Sequence, residues 1–176
     1  MLTDCPYCGH ENIDGADHCD ACQQPLDFLT KPRPANAVER SLVKDRVSLL
    51  EPKPPFVVAP ECPVGEVLRQ MVDHEVGCVV VVRSEAIAGI FSERDALDRL
   101  NVRFDELADR PVSQFMTPSP ATVEMDARIA FALHKMDVGG YRHLPVVEGN
   151  RLVGVISVRD ILRYITDRLL APGPAL

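Results

Sequence analysis

Cys5-Pro6-Tyr7-Cys8 and Cys19-Asp20-Ala21-Cys22 place four thiols in two adjacent pairs with ten residues between them. Each pair can bend its backbone round one ion, and four thiolates in tetrahedral array suit Zn²⁺ with no coordination position left open. Two disulfides would need an oxidising compartment, and redox chemistry needs one Cys-x-x-Cys pair on a supporting fold. This segment has two pairs and almost no core. A stretch of about thirty residues is too short to fold without a staple, so the metal becomes part of the fold. The ligand set alone does not separate zinc from iron. His10 and His18 are read as solvent-facing, because the cysteines already fill a tetrahedral shell.

A second pattern occurs twice: Gly89-Ile90-Phe91-Ser92-Glu93-Arg94-Asp95 and Gly154-Val155-Ile156-Ser157-Val158-Arg159-Asp160. A serine followed three residues later by an acid at a helix start is a capping box, which satisfies backbone N–H groups and requires no ligand. Each copy also puts an arginine in the first helical turn, where the macrodipole disfavours a cation. A neighbouring aspartate could compensate. A phosphate could do so too, since the free N–H groups of a helix start attract anions. Ligands of α/β structures tend to sit at such strand-to-helix turns.

The elements that position these turns repeat with them. Laid against itself at an offset of 65 residues, the chain aligns 47–100 with 112–165 without a gap, and Ser48/Ser113, Pro55/Pro120, Leu68/Leu133, Met71/Met136, Gly89/Gly154 and Asp95/Asp160 are among the identities. Chance matching of two apolar stretches would not preserve Gly, Ser, Arg and Asp in register. Each copy reads as a short strand (56–59; 121–124), a helix, two strands (78–82 and 87–91; 143–147 and 152–156) and a second helix beginning near Glu93 or Val158. The first helix carries the stripe Val64, Val67, Leu68, Met71 and Val72, and its counterpart carries Ile129, Ala132, Leu133 and Met136. The class is α+β, with two β-α-β-β-α units, each too small to bury its own sheet face, packing on one another.

These motifs, together with Tyr141-Arg142-His143-Leu144-Pro145-Val146-Val147, resemble the tandem CBS-domain pair, or Bateman module, over about residues 40–170. The resemblance implies pseudo-two-fold packing of the units and a regulatory rather than catalytic role. It implies binding of an adenosine-containing ligand such as AMP, ADP, ATP, S-adenosylmethionine or NAD. Carried over, Asp95 and Asp160 accept ribose hydroxyls, Ser92 and Ser157 meet phosphate or ribose oxygens, and Arg94, Arg159 and Arg142 supply charge. The base lies against Val57-Val58 or Thr122-Val123, and against Gly77-Cys78-Val79 or Arg142-His143-Leu144. Where the second copy has Arg142-His143-Leu144-Pro145, the first has Gly77-Cys78-Val79-Val80, so the second site is the better candidate for occupancy. Cys62 and Cys78 read as small buried apolar groups. The head resembles a short zinc ribbon with Cys5, Cys8, Cys19 and Cys22 as ligands. Gly9 follows its first knuckle, but Gln23 stands where the pattern usually has a second glycine.

Charge bears on partners. Residues 1–30 hold six acidic side chains and no Lys or Arg, whereas 31–176 hold 19 basic and 20 acidic ones. A Cys₄ site with one divalent ion adds a residual negative charge, so the head would repel a phosphate backbone. It is expected to dock on protein, either its own module or a partner. No run suits a membrane span or a leader, which reads as cytoplasmic, and the family resemblance implies a homodimer. The expected organisation is a ribbon over 1–30, a Pro-containing connector and lead-in helix over 31–46, repeats over 47–105 and 106–170, and a tail over 171–176. In the lead-in helix, Asn36 and Glu39 suggest a capping box, and Val38, Leu42 and Leu49 are loosely spaced apolar positions interrupted by Asp45 and Arg46.

Overall fold

A computed structural model describes residues 2–5, 7–13, 16–24, 26 and 36–170. The Pro-containing stretch over 30–35 and the tail over 171–176 lie outside the described residues. The chain forms two compact units, one of Met1–Pro52, Val123–Arg142 and Ile156–Leu176, the other of Lys53–Thr122 and His143–Val155. Among the described residues, no helix is long and apolar enough to cross a membrane.

β1 (Leu2–Asp4) and β2 (Glu11–Ile13) pair antiparallel, joined by the loop that carries Cys5 and Cys8. α1 (Ala37–Lys44) starts where the Asn36/Glu39 spacing predicts, with Asn36 Oδ1 accepting from the Glu39 N–H at 2.9 Å. It ends at Asp45, whose carboxylate accepts from the Tyr164 hydroxyl at 2.5 Å and pairs with Arg168 at 2.6 Å. The charged residue that interrupts the apolar spacing is therefore an anchor. Leu49, expected on the apolar face of the lead-in helix, is 56% exposed. It lies in a 3₁₀ turn, Val47–Leu50, whose three-residue period turns Val47 and Leu50 inward instead.

The first repeat comprises β3 (Val57–Val58), α2 (Val64–Asp73), β4 (Cys78–Arg83), β5 (Ala86–Ser92) and α3 (Glu93–Arg99), followed by the short α4 (Phe104–Leu107) and by β6 (Thr117–Pro118), which opens the second repeat in sequence but joins the first repeat's sheet. Its sheet runs β3-β4-β5-β6, with β3 parallel to β4 and the other neighbours antiparallel. Val64, Val67 and Met71 of α2 pack with Val58, Val79, Val81, Phe91, Leu100, Val112 and Phe115 in one core. Val72, expected on the same stripe, is 76% exposed. Eight residues on, it lies about 80° round the helix from Val64, and α2 ends one residue later.

The second repeat comprises β7 (Val123–Glu124), α5 (Ile129–Gly139), β8 (His143–Glu148), β9 (Arg151–Ser157) and α6 (Val158–Leu170), with sheet order β7-β8-β9. Both copies thus show the β-α-β-β-α order that the spacing predicts. Ile129, Ala132 and Met136 of α5 are buried as its stripe requires, joined by Phe131. Gly140, with φ +64°, closes α5 in the left-handed conformation that glycine adopts without strain.

Candidate functional site

The capping box is complete in the first copy, where the Asp95 N–H also donates to Ser92 Oγ at 3.4 Å, and the second copy repeats its serine-to-aspartate half. Asp95 Oδ2 accepts the Ser92 N–H at 2.9 Å and the Ser92 hydroxyl at 2.6 Å. Asp160 Oδ2 accepts the Ser157 N–H at 2.7 Å and its hydroxyl at 2.6 Å. The turns are also tied down alike: Glu93 N–H donates to the Gly77 carbonyl at 3.1 Å, and Val158 N–H to the Arg142 carbonyl at 2.9 Å.

The second carboxylate oxygen separates the copies. Asp95 Oδ1 accepts the Thr117 hydroxyl at 3.1 Å and lies 3.3 Å from Arg99 Nη2. That guanidinium is itself held by the carbonyls of Phe115 at 2.7 Å and Met116 at 2.6 Å. Asp160 Oδ1 has only Arg163, at 4.0 Å, and accepts no hydrogen bond among the described residues. The Asp160 side chain is 10% exposed and that of Asp95 12%, so the copies differ in the partners of this oxygen rather than in exposure. Arg142 and Arg159 are exposed, and neither side chain has an ion-pair partner among the described residues.

The other predicted residues divide by burial. Val58, Cys78, Val79, Val123, Leu144 and Pro145 are closed into the sheets, whereas Val57 and Arg94 are exposed and Thr122 and His143 half-buried. Cys78 is buried as expected, and burial, then Glu93 and Asp95, push its thiol up to about 12; Cys62, expected to be buried, is half-buried, its thiol raised by burial and then Glu66. Gly77 is backed by His143: a Cβ there would lie 3.0 Å from His143 Nε2. The glycine that replaces Arg142 in the first copy is thus the space the imidazole fills.

Cys5, Cys8, Cys19 and Cys22 converge, their sulfurs all within 4.8 Å of one another. The Cys5–Cys22 and Cys8–Cys19 separations are 3.7 Å and 3.6 Å, near the ~3.8 Å edge of a tetrahedron with Zn–S bonds of about 2.3 Å. The donor set and its spacing fit a metal ion. The two knuckles repeat one another: Gly9 N–H donates to the Cys5 carbonyl at 2.9 Å and Gln23 N–H to the Cys19 carbonyl at 2.8 Å. Gln23 adopts φ +58° against +78° for Gly9, so the turn survives without a second glycine. Its side-chain amide donates to the Asp20 carbonyl at 3.2 Å. Buried Asn12 bridges the knuckles, donating to the His10 carbonyl at 2.7 Å and accepting from the Asp20 N–H at 3.0 Å. Burial raises Cys8 to about 11. Burial also opposes ionisation of Cys19, but N–H groups of Cys22 and Ala21 and the neighbouring thiols outweigh it, bringing Cys19 down to about 6. His10 and His18 are exposed.

Comparison with known proteins decides the family. The CBS domain matches residues 47–102 and again 112–167. The chain belongs to the CBS-domain family. It is 33% identical over 124 residues to an uncharacterised 17.7 kDa protein of Acidianus ambivalens, covering 69% of this chain and 74% of that one. Other curated CBS-domain relatives are longer, and the chain spans 52% of one and 19% of another. Among solved structures it resembles the CBS-domain protein ATU1752 of Agrobacterium tumefaciens, with TM-score 0.64, 27% identity, and coverage of 68% of this chain and 98% of that one. It also resembles the CBS-domain protein PAE2072 of Pyrobaculum aerophilum, solved in complex with AMP, with TM-score 0.63, 29% identity, and coverage of 73% and 100%.

The cysteine head rests on the second CBS repeat. Tyr7 stacks at 5.3 Å, tilted, on His134 of α5, and His134 Nε2 lies 3.1 Å from Gln24 Oε1. Lys135 beside it is half-buried, and desolvation lowers its pKa against the pull of the Cys22 and Cys8 thiolates. The head thus contacts the chain's own second repeat. Sequence reasoning missed Arg99, Thr117, Asn12 and His134. For the first two the signal lay in the mismatches of the repeat, where Pro52 aligns with Thr117 and Tyr164 with Arg99.

Proposed function

We propose that this CBS pair is a regulatory sensor that binds an adenosine-containing ligand at the second repeat's strand-to-helix turn, with a zinc ribbon as a structural head. The observation that carries the reading is Asp160 Oδ1, at the start of a 13-residue helix, which accepts no hydrogen bond among the described residues and has only Arg163 at 4.0 Å. A carboxylate with two unfilled acceptor positions suits the two vicinal hydroxyls of a ribose. Arg159 and Arg142 are the cations for the phosphate, and the Ser157 hydroxyl meets phosphate or ribose oxygens. The AMP complex of PAE2072 supports the ligand class. Cys5, Cys8, Cys19 and Cys22 hold Zn²⁺, which supplies the folding energy that so small a head lacks. Ligand occupancy is signalled to a protein partner, and the module itself does no chemistry.

The test is calorimetric titration of zinc-loaded protein with AMP, ADP, ATP, S-adenosylmethionine and NAD. At least one should bind, and Asp160→Ala should weaken it tenfold or more. Unchanged affinity in that variant would sink the assignment.

A further inference from the structure

Resting on that reading, we infer that the first repeat is closed from within: Arg99 and Thr117 occupy the carboxylate that a ligand would need, so each chain takes one adenosine-containing molecule, at Asp160. A carboxylate offers about four acceptor positions. At Asp95 all are engaged, Oδ2 by the Ser92 N–H and hydroxyl, Oδ1 by the Thr117 hydroxyl at 3.1 Å and Arg99 at 3.3 Å. At Asp160 the Oδ2 pair is the same, whereas Oδ1 accepts no hydroxyl among the described residues and its guanidinium, Arg163, stands at 4.0 Å.

The replacements account for this. Thr117 aligns with Pro52, which has no hydroxyl, and Arg99 with Tyr164, whose hydroxyl is committed to Asp45 at 2.5 Å. Swinging Arg99 aside also breaks its hydrogen bonds to the Phe115 and Met116 carbonyls, and the part-buried Phe115 acceptor is costly to strip of its donor. A second, independent feature agrees. The position that supplies Arg142 in the second repeat is Gly77 in the first, and the His143 ring fills the space its side chain would use.

The test is calorimetric stoichiometry with AMP on full-length zinc-loaded protein. One equivalent per chain is expected, with affinity falling at least tenfold in Asp160→Asn. The double variant Arg99→Ala/Thr117→Ala, its folding verified by circular dichroism and thermal melting, should gain a second equivalent. Two equivalents in the unaltered protein overturn the inference while leaving the nucleotide reading standing, and so does a folded double variant that still takes one. Absence of binding in the unaltered protein and the double variant alike, repeated across the other adenosine compounds, overturns the nucleotide reading itself.

Discussion

Asp95 and Asp160 occupy the same place in two copies of one motif, and their serine contacts agree to within a few tenths of an ångström. They differ in what reaches the other oxygen. Around Asp95 the chain has closed the shell with a hydroxyl and a guanidinium, which makes the carboxylate a fastening between α3 and the segment leading into β6. Around Asp160 the fastening is half made. A motif therefore specifies the cap, and residues outside it, four and 22 positions on in sequence, decide whether any acceptor capacity remains for a ligand.

The repeats differ in a larger way too, since the cysteine head rests on α5 through His134, where α2 has Arg69 at the aligned position. Removing the metal should give the largest effect of all, because structural zinc contributes on the order of 10 kcal/mol to folding its site. With a strong chelator, residues 2–24 should lose amide protection entirely. Exchange in α5 should rise at least severalfold, while α2 stays as protected as before. Hydrogen exchange read by mass spectrometry checks this, and equal deprotection of α2 and α5 would show that the head supports the module as a whole rather than its second repeat.

The two carboxylates should then separate in stability. Asp95→Ala strands the Thr117 hydroxyl and Arg99 as well as the Ser92 donors, and should cost about 3 kcal/mol, since hydrogen bonds to charged groups contribute roughly 1.5–3 kcal/mol each and relaxation recovers part. Asp160→Ala removes only the Ser157 contacts and should cost about 1 kcal/mol. Urea denaturation of both variants measures the difference. Equal costs would mean that the Arg99 and Thr117 contacts contribute nothing net, and the contrast between the repeats would lose its energetic basis.

Much of this was legible in the residues. The offset alignment predicts the order of all ten strands and helices of the two β-α-β-β-α copies and places the six strands to within a few residues, because alternating and helical apolar spacings are local signals that the sheets and core reinforce. The cysteine spacing predicts the cluster for a similar reason: chelation by close pairs is local geometry. What escaped was long-range. Arg99 reaches carbonyls 16 and 17 residues away, and His134 meets Gln24 across 110 residues, so no window of sequence contains either pair. Leu49 and Val72 were misassigned for another reason. α1 ends at Lys44, and extended Asp45 and Arg46 precede the 3₁₀ turn that holds Leu49, while α2 ends one residue past Val72.

The smallest expected effect is the most specific to the comparison. If Gly77 is glycine because His143 fills the adjoining space, Gly77→Arg, which restores the second repeat's residue, overpacks that spot and should cost about 2 kcal/mol, within the range for oversized substitutions. In a His143→Gly background the same change should cost less than half as much, since the imidazole that it collides with is gone. The coupling between the two sites, of about 1 kcal/mol in a double-mutant cycle, is the quantity that counts, because each single change also alters local backbone freedom. Additive costs would mean that the missing arginine reflects something other than the ring of His143, and the first repeat's closure would then rest on Arg99 and Thr117 alone.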